Sequence, residues 1–264
     1  MFTIHGYKSG YYCQLVFLLL PSKSTETNHN MWRFISTICE KEIHTPLSIN
    51  SIIMDFEMAA HRAINNFFPN CQVKGCHFHL KQSWFRKIKS NSLLLKEYKN
   101  KNSEIGNWLK KFFGLSFLPH QEIGEAFTEL YENAPESEEA IIFADYIVEN
   151  YIDENEASFK PNIWASKPSD VPKTTNGCEA FHKHFNAQFY HIKPTIFTFI
   201  DILKGIQCET YLKIASSEKR KAYQRKSEKD KQEWINKIWI QYQTGEIDRI
   251  RYVEILGHKF SVHN

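Results

Sequence analysis

The chemistry open to this chain starts from two carboxylates, Asp55 and Glu179, and from a sulfur and imidazole pair, Cys76 and His79. Asp55 ends the short apolar run Leu47–Met54, and Glu179 lies in the string KTTNGCEAFHKHFN. An aspartate at the carboxyl end of a buried strand points into the crevice above a sheet, where a metal and a phosphate can approach. Two such carboxylates and a glutamate returning on a helix can hold two Mg²⁺ or Mn²⁺ ions, which clamp the attacking and leaving oxygens of an in-line phosphoryl transfer. Asp55 and Glu179 are therefore candidate catalytic residues and metal ligands. A plainer reading stands beside this one. Asp55 can cap the helix that follows it, and Asn176 with Glu179 three residues later has the spacing of a capping box. Caps are commoner than catalytic metal sites, so spacing alone favours them.

Cys76-x-x-His79 has the spacing of half a zinc site, and Cys178, His182 or His184 could supply the other half. Cys178 and His182 are four residues apart and share a helix face, so a structural Zn²⁺ held by Cys76, His79 and His182 would tie the helix of Glu179 to the strands. Alternatively, Cys76 is a small buried apolar residue and His79 a hydrogen-bonded helix residue. Directly after this pair come Lys81, Trp84, Phe85, Arg86, Lys87 and Lys89. Lysine and arginine there would give salt-dependent, sequence-independent contacts to nucleic-acid phosphates. No zinc finger, helix-turn-helix or homeodomain pattern that would read bases is present.

Charge is segregated. Residues 121–158 hold twelve acids and no Lys or Arg, whereas 73–113 hold ten basic against two acidic residues and 183–237 twelve against six. That pattern fits a DNA partner, although charge runs are also ordinary solvated helix faces. The longest apolar run, around Leu15–Leu20, is too short to span a bilayer, and its polar lead-in is no signal peptide. Six scattered cysteines without such a signal favour reduced thiols inside the cell. These features predict a soluble, intracellular chain with no membrane partner and no small-molecule substrate.

The elements that must position these residues follow from periodicity. Phe2–Tyr7 and Tyr11–Leu20 read as a hairpin turning at Lys8, Ser9 and Gly10. Met31, Phe34, Ile35 and Ile38 have helical spacing after Ser24; Leu47–Met54 is a strand; Ala59 to Phe68 is an alanine-rich helix; Val73–His77 is a second short strand. Beyond these the pattern is helical, over 80–99, 108–113 and 121–151, then from near Asn176 and over 195–211. A polar connection falls at 167–172, and 216–231 is a solvated helix or linker.

Segments in this order resemble the Mutator-like element (MULE) transposase domain. The resemblance rests on the strand ending in Asp55, the alanine-rich helix, the FFP at its end, the GCHFH string, the later TTNGCEAFHKHFN, and FTIHGYKSGYYCQLVFLLLPS near the start. It covers roughly residues 1–210 and implies an α/β, RNase H-like mixed sheet with a large helical insertion. It further implies DNA as partner, location in the nucleus, and an Asp, Asp, Glu triad that cuts and joins DNA with divalent metal. On this resemblance Asp55 corresponds to the second Asp and Glu179 to the Glu. Residues 1–54 contain no aspartate, and Glu26, Glu40, Glu42 and Glu57 are poor substitutes by position. The expectation is thus an N-terminally truncated transposase domain that does not cut DNA alone, with a partial core at 1–90, a helical insertion at 91–172, return helices at 173–215 and a charged helical tail at 216–264. An uncovered sheet edge would favour self-association into a homo-oligomer.

Overall fold

Residues rich in β-branched and aromatic side chains flank Ser9 and Gly10, and both turn residues adopt positive φ (53° and 87°). In a computed structural model, which describes residues 1–169, 175–189 and 194–262, strands β1 (Phe2–Lys8) and β2 (Tyr11–Leu18) accordingly pair antiparallel, with an irregularity between Ile4 and His5. Helix α1 (Thr25–Ile43) begins where the Ser24 side chain accepts a hydrogen bond from Thr27 N–H, and it ends at His44 in the left-handed region. Next come β3 (Ser51–Met54), α2 (Met58–Phe67) and β4 (Gln72–Gly75). Strands β3 and β4 are parallel, which requires a crossover between them, and α2 supplies it.

The two strand pairs are not hydrogen-bonded to each other. They share one apolar layer: Met31, Trp32, Ile35, Ala63 and Ile64 are buried against Phe2 and Val16 of the hairpin and Ile52 and Val73 of the parallel pair. The single mixed sheet expected from the sequence is therefore two small sheets on a common core, in a mixed α/β chain dominated by helices.

The helical body follows. Helical structure was expected over residues 80–99; the structure divides it into α3 (His77–Lys89) and α4 (Ser92–Lys99), because Asn91 accepts a hydrogen bond from Leu94 N–H and starts a new helix. Helices α5 (Glu104–Leu115), α6 (Ile123–Glu132), α7 (Glu138–Ile147) and the short α8 (Pro161–Trp164) pack around Trp84, Phe112, Phe113, Phe143 and Trp164. The C-terminal segment, read from sequence as a charged tail, enters this same core. Ile235 and Ile238 of α11 (Lys226–Gln243) and Tyr252, Val253 and Leu256 of α12 (Arg249–Phe260) are buried there. Its charges line the outer faces, and Arg249 is held by Glu129 at 2.8 Å and Glu125 at 2.7 Å, both from the acidic stretch.

Helices α9 (Asn176–Ala187) and α10 (Ile196–Lys219) lie against the hairpin through Phe181, Phe185, Ile206 and Phe17. Buried Thr210 of α10 donates to Gln14 of β2 at 3.0 Å. The polar connection at Asp170 and Pro172, and the Asn176 side chain, lie outside the described residues. Among the described residues no helix is long and apolar enough to cross a membrane.

Candidate metal centre

Parallel register places the site. Met54 is paired with Gly75, so the residues that follow them, Asp55 and Cys76, leave the two strands side by side, and Cys76 N–H donates to Met54 C=O at 2.9 Å. The chain can turn this tightly because position 75 has no side chain: a Cβ there would meet the Phe56 ring at 2.4 Å. Phe56 is itself wedged edge-on against Phe159. Cys76 then occupies the N-cap position of α3, and the first turn brings His79 back over Asp55. The Asp55 backbone is fixed from α2, where buried His61 donates from Nε2 to the Asp55 carbonyl at 2.8 Å. Burial pushes the His61 imidazole below its ordinary pKa, which suits this neutral donor role.

One ligand atom from each of Asp55, Cys76 and His79 lies within 4.8 Å of the other two. His79 Nδ1 is 2.8 Å from Asp55 Oδ1, yet the two are not aligned as a hydrogen bond. With Cys76 Sγ, these two atoms offer three donors close enough to share one cation. The other side of the same imidazole, Nε2, is 3.6 Å from Glu179 Oε1. The carboxylates of Asp55 and Glu179 are about half exposed, whereas Cys76 is fully buried, so the pocket opens on its acidic side.

Neither acid acts as a helix cap. The N-cap of α2 is Glu57, which makes no side-chain cap and instead pairs with Lys23 at 2.7 Å, away from the centre. The N-cap of α9 is Thr175, and Glu179 lies four residues after it. Thr175 joins the two halves of the site. Its N–H donates to Cys76 Sγ at 3.2 Å, and its hydroxyl is within 3.3 Å of that sulfur and 3.4 Å of Glu179 Oε1, so one proton serves either acceptor. Cys178, on the inner side of α9, has its thiol pushed up to about 11 by burial, with Asp55, Cys76 and Glu179 adding to the shift. It therefore keeps its proton at neutral pH.

The remaining residues singled out from sequence lie elsewhere. His182 Nε2 is 3.0 Å from Thr3 Oγ1 of the hairpin, which also contacts His5 at 3.1 Å, and His182 is not in the Asp55 cluster. Lys81 is largely buried, with its ammonium 4.7 Å from the Phe260 ring centre, and burial and then Lys231 push its pKa down to about 7. Arg86 donates to Gln82, Lys87 lies over Tyr146, and Lys89 is exposed. Sequence reasoning missed Thr175 and His61. The first is signalled by its position just before the Glu179 helix, and the second by a lone histidine on the inner face of the alanine-rich helix.

Residues 1–83 match the family of the MULE transposase domain. This segment is similar to the MULE transposase domain. The match contains Asp55, Cys76 and His79 and ends before Glu179, which reaches the centre on α9. No curated protein and no solved structure matches the chain. Likeness to the MULE transposase domain suggests divalent-metal use, and the donor set tests which ion fits. Sulfur and imidazole are poor ligands for Mg²⁺, which demands oxygen. His79 also stands between the two carboxylates that a magnesium pair would need to share. The residues as placed do not fit a two-magnesium centre. They do fit a borderline-soft divalent ion such as zinc, with three protein donors and one open position.

Proposed function

We propose that this chain is a DNA-binding protein of MULE transposase descent, with an RNase H-like core, that holds one divalent ion with Asp55, Cys76 and His79 and acts in the nucleus. The observation that carries the reading is the convergence of these three donors at the ends of β3 and β4, with Glu179 delivered beside them on a separate helix. Asp55 and Glu179 are two of the three carboxylates of a strand-transfer triad, and residues 1–54 hold no aspartate to serve as the third. This chain by itself is therefore expected to bind DNA without cutting it. A bound zinc would supply fixed positive charge at the strand ends. The protein's own part is to present Asp55 through His61, to orient the buried sulfur through Thr175, and to offer lysines such as Lys89 to phosphates.

A second reading, a host-retained module that binds DNA or protein and has no catalytic role, is favoured by the sulfur donor, since cysteine is commoner among the ligands of structural zinc than of two-magnesium sites. Metal analysis of the purified chain and a duplex-nicking assay test both. The expected result is one zinc per chain, lost in Cys76→Ala and His79→Ala, with duplex binding and no nicking in Mg²⁺ or Mn²⁺. Nicking that disappears in Asp55→Asn would overturn the non-cutting assignment. A chain that retains no metal and binds no duplex would overturn the whole reading.

A further inference from the structure

Away from the Asp55 centre, the helical body contains a cavity of ≈ 530 Å³ between the end of α4, the middle of α5 and the end of α12. Lys99, Lys101, Lys110 and His258 line it, together with Tyr98 and Asn107, and none of its described lining residues is acidic. A cleft lined by one sign of charge concentrates counter-ions. Glu97 accepts from Ser103 at 2.6 Å, and Glu254 pairs with Arg251 at 2.8 Å while also acting on His258. Lys110 reaches in over the Tyr98 ring, 5.6 Å from its centre, and Tyr98 is pinned by its hydroxyl to Val262 C=O at 3.0 Å. Burial lowers the Lys110 pKa, and Lys101 adds to the shift. His258 is lowered by burial and then by Lys110, with Glu254 opposing.

The walls are preformed. Gly106 brings α5 against α4 so closely that a Cβ would meet Glu97 C=O at 2.1 Å, and a Cβ on Gly257 of α12 would meet Lys110 C=O at 2.4 Å. Backbone-to-backbone contact on both sides fixes the spacing of α4, α5 and α12 without a ligand, which lowers the cost of binding.

Resting on the DNA-binding reading above, we propose that this cavity is an anchoring site for the sugar–phosphate backbone of duplex DNA, separate from the metal centre. Exposed Lys99 and Lys101 at the rim and half-buried Lys110 inside are point charges suited to backbone phosphates rather than base edges. The walls from α4 and α5 belong to the basic stretch 73–113. Because no residue of the cavity belongs to the metal centre, the two sites can be tested apart.

The test is fluorescence anisotropy of the full chain with a random-sequence duplex, over a range of salt and in EDTA, so that the metal plays no part. Lys101→Gln/Lys110→Gln is expected to lower the slope of log affinity against log salt by about two, since each phosphate contact contributes roughly 0.9. Affinity should fall roughly tenfold. Lys101→Glu alone, at an exposed position that leaves packing untouched, should weaken binding in the same direction. Lys226→Gln/Lys229→Gln on the outer face of α11 should change neither quantity. An unchanged slope in correctly folded lysine variants overturns the proposal. It is equally overturned if inositol hexakisphosphate binds in a Lys110-dependent way while duplex affinity ignores the substitutions, which would make this a site for small phosphates.

Discussion

Gly177→Ala separates the role of Glu179 from that of the three-donor cluster. Gly177 sits in the first turn of α9 directly over the Tyr12 ring, and a Cβ there would lie 2.4 Å from Cγ, 2.5 Å from Cδ2 and 2.7 Å from Cδ1. Carbon atoms in contact need about 3.5 Å, so roughly 1 Å must open. Tyr12 cannot simply swing aside, because its ring lies 4.9 Å from that of Tyr7. The start of α9 must lift, and Glu179 lifts with it two residues later. Overpacking costs about 1–3 kcal/mol, and the better helix propensity of alanine returns about 1 kcal/mol, so the melting temperature changes little. Metal coordination is the sharper readout. Cobalt in place of zinc reports sulfur, nitrogen and oxygen donors by its absorption. Asp55, Cys76 and His79 do not move in Gly177→Ala, so the sulfur-to-cobalt band should persist. Affinity should fall by about tenfold, the lower end of the cost of losing a neighbouring ligand or its support, as it should in Glu179→Gln. Adding Tyr12→Ala removes the ring and should restore most of the loss. If Gly177→Ala binds cobalt like the parent while Glu179→Gln does not, the packing of α9 on Tyr12 does not set the position of Glu179, and the reasoning fails.

Three further outcomes follow from the same structure. In Gly114→Ala a Cβ would stand 2.0 Å from the Val253 carbonyl, a backbone atom that cannot rotate away, so α5 and α12 must separate; a loss of about 3 kcal/mol or more in denaturant unfolding is expected, and a loss under about 0.5 kcal/mol would refute the contact. His5 is lowered from 6.5 to about 4 by burial, then by His182 and Lys213. Between those values the unfolded chain carries the proton and the folded one does not, so stability rises with pH across about 4 to 6.5. After allowance for solvent screening the gain is about 1–2 kcal/mol, and the difference in unfolding free energy between parent and His5→Gln should show it. Lys81, lowered to about 7, acts at higher pH with the same sign: the folded state loses its proton first, and stability rises from about pH 7 towards 10.5. Lys81→Met should be more stable by about 1–2 kcal/mol at pH 7 and should lack that rise; unfolding curves of the two proteins that stay parallel across this range would refute the burial of the ammonium.

What the sequence showed and what it concealed divide along a physical line. Elements built by local pattern were legible: the hairpin from its Ser9–Gly10 turn, α1 from Ser24 and its spaced apolar residues, and β3 from its run into Asp55. Cys76 and His79 were legible because their spacing is local too. The break at Asn91 was missed because a single side-chain acceptor can start a new helix inside a continuous helical pattern. The C-terminal segment was misjudged because the many charges of α11 conceal a narrow stripe, Ile235 and Ile238, that suffices when α12 brings three fully buried residues with it. Contacts fixed only by the closing of distant segments left the faintest trace. Thr175 donates to the sulfur of Cys76 across 99 residues, and nothing in the string TTNGCE announces that partner. Yet that contact decides the character of the centre. It holds the start of α9 against the end of β4, so that Glu179 faces His79, while His79 already faces Asp55. An imidazole between two carboxylates keeps them apart, and a sulfur beneath them selects a softer ion. The residue types resemble those of a magnesium nuclease, but their arrangement sets a sulfur and an imidazole among the carboxylates.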